Sequence, residues 1–111
     1  MFIQLANHNA AAISFQPYKE IDLSVHELQQ RGVTFDEQCD DLGSYHFAAF
    51  TSSDGINFAL LHYVNAASPG TTLMLEHDAD GHIIDAQSRS AIIEQALHGS
   101  QRASPGVSNA A

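Results

Sequence analysis

The residues best suited to chemistry run from Glu76 through His77, Asp78, Asp80, Gly81 and His82 to Ile83. Calcium loops of the EF-hand type place oxygen ligands at positions 1, 3 and 5, glycine at 6 and often an aliphatic side chain at 8. Glu76, Asp78, Asp80, Gly81 and Ile83 match that spacing. Two features depart from it. Position 1 is glutamate, and position 12 falls on Gln87, which offers no bidentate carboxylate. The entering residues, Thr71 to Leu75, also read as a strand rather than a helix. An Asp-Gly turn between two strands accounts for the same residues. The candidate metal ligands are Glu76, Asp78, Asp80 and His82, for calcium or zinc, against a default of no cofactor.

Seven histidines widen the metal question. A zinc site needs three or four converging ligands held by second partners. The chain has no HxxxH, HxH or HExxH and one cysteine, so separate histidines are the simpler reading. A metal- or ligand-dependent enzyme is the competing class. It would use His62, His77, Asp78, Asp80 and His82 if two hairpins converge. Cys39 stands among Asp36, Glu37, Asp40 and Asp41, and nearby negative charge suppresses the thiolate that nucleophilic attack requires. No serine sits in a Gly-x-Ser-x-Gly elbow, and no glycine-rich phosphate loop is present. Catalytic residues are therefore not assigned.

The acids at 36, 37, 40 and 41 support a different role. They read as a site for a cation or a basic partner, or as a solvated turn or short helix, because charge runs are usually exposed.

The elements that must hold these residues follow from punctuation and periodicity. Ser24-Val25-His26-Glu27 is a capping box, and Gly32 suits the residue after a helix, so a helix over 25–31 is expected with Val25, Leu28 and Gln29 inward. Tyr45 to Thr51 and Ile56 to Val64 flank Asp54-Gly55, a strong hairpin signal. A two-residue turn there pairs Thr51 with Phe58, Ala49 with Leu60, Phe47 with His62 and Tyr45 with Val64. His46, Ala48, Phe50, Ala59, Leu61 and Tyr63 then share the second face. Neither face is polar, although a half-solvated hairpin alternates. Helices must cover one face, and the other is a candidate interface.

Pro69-Gly70 predicts a type II turn, 71–76 a third strand, and 82–86 a fourth strand closed by Ala79-Asp80-Gly81. Ser88 or Ser90 would cap a helix over 90–98, with Gly99 after it and 99–111 a disordered tail. Residues 1–16 fit a strand or a short helix. Six glycines, at 32, 43, 55, 70, 81 and 99, fall where positive φ is expected.

The chain has 111 residues and 44 % apolar composition, enough for one domain over 1–98. Acids outnumber bases 13 to 4, for a net charge of -9 with histidines neutral. Four scattered bases cannot track a phosphate backbone, so neither nucleic acid nor an anionic membrane is an expected partner. No run approaches the roughly 18 apolar residues that span a bilayer. The start lacks the basic and apolar regions of a secretory signal, and one cysteine fits a reducing compartment, so a cytoplasmic protein is expected.

The expected fold is α+β, an antiparallel meander of about four strands over 45–87 with a helix on either side. The expected function is a small acidic, non-catalytic interaction module, either a homodimer or one docking a protein partner, with an immunity or antitoxin-like role as one version. Its candidate contact residues are Asp36, Glu37, Asp40, Asp41, Phe50, Leu61 and Tyr63. The third possibility is a subunit active only within a larger complex.

Overall fold

The computed structural model describes residues 2–103, with side chains through residue 98. Its class is α+β. Six antiparallel strands form one sheet: β1 (Phe2–Gln4), β2 (Phe15–Ile21), β3 (Asp36–Asp40), β4 (Gly43–Ser52), β5 (Asn57–Tyr63) and β6 (Thr71–Glu76). The order is β1-β4-β5-β6-β2, and β3 pairs with β4 beside β1, along the other half of that ten-residue strand. Among the described residues there are also three helices: α1 (Asn7–Ala10), α2 (Val25–Gln30) and α3 (Ala86–Ala103).

The central hairpin β4–β5 differs from expectation by one residue. Thr51 pairs with Asn57, Ala49 with Ala59, Phe47 with Leu61 and Tyr45 with Tyr63. The loop is three residues long, not two. Gly55 N–H donates to Ser52 O, Ser52 N–H donates to Ile56 O, and Gly55 takes φ +82°. A type I turn closed by a left-handed glycine has that form. Because side chains alternate, this one-residue change exchanges the faces of β5. Ala48, Phe50, Phe58 and Leu60 now share one face, while Tyr45, Phe47, Leu61 and Tyr63 share the other.

The first face is covered by helices and carries the core. Phe50 stacks on Phe58 at 4.8 Å, and Phe2 meets Phe58 edge-on at 4.9 Å. Leu73 and Leu75 from β6, Leu28 from α2 and Ile93 from α3 are fully buried with them. The capping box of α2 forms as expected: Glu27 N–H donates to Ser24 Oγ, and Ser24 N–H donates to Glu27 Oε1. Leu28 is its buried residue, while Val25 is half-buried and Gln29 exposed.

The second face is covered over half its length. Ala49 and Ala59 leave room for the single turn of α1, which seats Ala10 on them and packs beside Leu5, Phe15, Phe47 and Met74. Beyond that turn the sheet stays open.

Several expectations are corrected. The acid run 36–41 is not a short helix: Asp36–Asp40 form edge strand β3, and Asp41 lies in the hairpin turn into β4. Residues 82–86 form no strand, only a bridge between His77 and Ile83. β2 is an edge strand that Pro17 and a bulge at Pro17/Lys19 disguise in the sequence. Gly70 lacks positive φ; an added Cβ would instead lie 2.7 Å from Ile21 O. Helix α3 begins at Ala86, not near residue 90, and continues through Gly99 to Ala103. Glycine costs a helix only about 1 kcal/mol, and the Gln-Arg-Ala after Ser100 favours helix. Ser90 does not cap it but lies inside, with Oγ donating to Gln87 O. Residues 104–111 of the tail expected over 99–111 lie outside the described residues.

Candidate functional site

The open half of the second face gathers residues that the sequence left scattered. Directly opposed residues share a face, so Asp36 joins Phe47, Gln38 joins Tyr45, and Asp40 lies one pleat further along β3. Phe47 opposes Leu61, which opposes Thr72, and Met74 lies beside them on β6. The result is a groove of 340 Å³ with Phe47, Leu61 and Met74 as its floor. Residues Ala10, Ala11 and Ile13 of the α1 region form one wall, and Gln38 and Tyr45 form the other. Asp36 and Asp40 stand at the β3 rim.

The rim is ordered by hydrogen bonds. Tyr63 Oη donates to Asp40 Oδ2 at 2.6 Å, and Leu42 N–H donates to Asp40 Oδ1 at 2.8 Å. Tyr45 Oη donates to Gln38 Oε1 at 3.0 Å. The Tyr63 bond, then the Leu42 amide, holds the Asp40 carboxyl below its ordinary range. The same bond to an anion pushes Tyr63 up to about 12. Asp40 is therefore a fixed anion at neutral pH.

Of the expected contact residues, Asp36, Asp40, Leu61 and Tyr63 share this face. Asp41 sits in the adjoining turn. Glu37 opposes His46 and lies on the opposite face. Phe50 lies on the other face, 8 % exposed and stacked on Phe58, which the three-residue loop places opposite it. Phe47, Met74 and Tyr45 were not singled out, and only the true register would have aligned them with Leu61.

The metal candidates divide. One ligand atom each from Asp78, Asp80 and His82 lies within 4.8 Å of the others, all three exposed. Asp78 Oδ1 accepts the backbone N–H groups of His82 at 2.9 Å and Asp80 at 3.0 Å, which closes the turn and holds Asp78 below its usual range. Glu76 does not join them. It accepts from Asn57 Nδ2 at 3.1 Å and lies 3.9 Å from the Arg89 guanidinium. The two hairpins do not converge on a histidine site. His62 opposes His46 at the other end of β5, with its Nδ1 2.9 Å from Gly70 O. Cys39 is exposed on β3.

No helix among the described residues is long and apolar enough to cross a membrane. The chain matches no protein-family description, and no similar curated protein or solved structure was found. Its class is defined by fold alone, an α+β domain with a meander-like antiparallel sheet.

Proposed function

We propose that this protein is a non-catalytic interaction module that docks a basic protein partner on the open face of its sheet. One observation carries the reading: Asp36 and Asp40 rim the same apolar floor that holds Phe47, Leu61 and Met74. Apolar area supplies affinity, while a rim of one charge sign steers a partner of the other and rejects like-charged surfaces.

A second copy is the poorer occupant. Stacking two of these faces brings two sets of Asp36 and Asp40 together on chains that each carry -9. A partner rich in lysine and arginine meets no such repulsion. An acidic protein that covers the basic surface of a toxin or nuclease is a concrete version, of the immunity or antitoxin kind. A subunit inactive outside its complex is compatible with the same face.

The test is chemical-shift mapping on the whole chain with a basic peptide of alternating leucine and lysine, and its glutamate counterpart. The basic peptide is expected to shift Met74, Leu61 and Phe47 and to leave Ile92, 49 % exposed on α3, unmoved. Shifts spread over all acidic residues without Met74 overturn the reading. So does concentration-dependent dimerisation that Leu61→Asp abolishes.

A further inference from the structure

We infer that the corner formed by Asp40, Tyr45 and Tyr63 seats a guanidinium group, so that the docked segment carries an arginine two residues from an aliphatic anchor. This rests on the docking reading above and names the chemistry of its partner.

Tyr45 and Tyr63 oppose each other on neighbouring strands of the open face, with ring centroids 5.3 Å apart and planes inclined by 56°. Rings so inclined are not stacked face to face, and both residues are only half-buried. Both hydroxyls are tethered, to Gln38 and to Asp40, so the rings are held in place before any ligand arrives. The face of an aromatic ring is negative and attracts a cation, and a carboxylate beside it adds a full charge. A carboxylate has about four acceptor sites. The bonds from Tyr63 and Leu42 take one on each Asp40 oxygen, with the Gly43 and Asp40 amides as lesser contributors. A planar, weakly hydrated guanidinium can stack on a tyrosine and donate to the carboxylate together; a compact ammonium does this less well.

The apolar floor fixes the spacing. Phe47 and Leu61 lie two residues along their strands from Tyr45 and Tyr63, which is about 7 Å. The same distance separates alternate side chains of an extended peptide. An aliphatic side chain on the floor thus brings a side chain two residues away to the corner.

The experiment titrates the full chain with a capped Leu-Ser-Arg tripeptide and follows tyrosine ring and methionine methyl signals by NMR. Three tyrosines and two methionines keep the spectrum simple. Tyr45, Tyr63 and the Met74 methyl should shift saturably, while Tyr18 on edge strand β2 should not. Replacing arginine by citrulline, planar but uncharged, should weaken binding about fivefold and silence the tyrosines while Met74 still responds. The lysine tripeptide should fall between the two. Asp40→Asn should reproduce the citrulline loss with the arginine peptide, and the peptide comparison on the unaltered chain stands without it. Equal binding of the arginine and citrulline peptides overturns the corner and leaves the docking face intact if Met74 moves. If neither Met74 nor the tyrosines respond to any tripeptide, both readings fall.

Discussion

Tyr63 Oη donates a 2.6 Å hydrogen bond to Asp40 Oδ2, joining the end of β5 to the β3–β4 turn across the open face. Each residue then fixes the other's titration. Tyr63 has its folded pKa raised to about 12, above its ordinary 10.0, so the bond's contribution is complete below pH 10 and is lost as pH rises toward 12. A tyrosinate absorbance titration should show one of the three tyrosines ionising near pH 12. Asp40→Asn should return it toward 10. An unchanged titration would disprove the pairing.

The acid side has the opposite sign. Asp40, Asp78 and Glu27 all titrate below their ordinary values, through Tyr63, the His82 amide and the Ser24 amide respectively. Their contributions are present above the unfolded pKa values and disappear as pH falls through the folded ones. Melting temperature should therefore drop below about pH 4, and Asp78→Asn should flatten part of that drop.

The register of the central hairpin is set by Ser53 lying in the loop and not in the ladder. Deleting Ser53 shortens the loop to Asp54-Gly55 but keeps Ser52 opposite Ile56 and Thr51 opposite Asn57, so Phe58 and Leu60 stay in the core. The expected outcome is a cooperative thermal transition retained by circular dichroism; its loss would contradict this register. Gly55→Ala keeps the register and should cost only about 1–2 kcal/mol, since its φ of +82° is strained for alanine but its surroundings are open.

Burial and capping set two further magnitudes. Phe58→Ala should cost about 4 kcal/mol in denaturant unfolding, because a 1 % exposed ring packed against two others leaves a cavity. Ser24→Ala should cost about 1 kcal/mol through loss of the cap on α2. A smaller loss at Phe58 than at Ser24 would contradict the placement of the core.

Local signals were legible in the residues themselves. Ser24 and Glu27 announced the capping box, Asp54-Gly55 the central hairpin, and the run from Thr71 to Glu76 a strand with those ends. What depended on partners distant in sequence was not. β2 reads as polar because only Ile21 of its seven residues is buried. Strand β3 reads as a charged turn, since an edge strand tolerates acids that discourage further pairing. Ser53 lying in the loop and not in the ladder decided that Leu61 and Phe50 occupy opposite faces. The candidate site inherited that ambiguity: its acids and its Tyr63 and Leu61 were visible singly, but their common face follows from register alone.

The central claim, that this face takes a basic partner, is tested most directly by selecting binders to the folded chain from a displayed random-peptide library. Selected peptides should carry net positive charge and lose binding to Leu61→Asp while retaining it to Ile92→Asp. Neutral or acidic winners, or peptides that bind both variants alike, would contradict it.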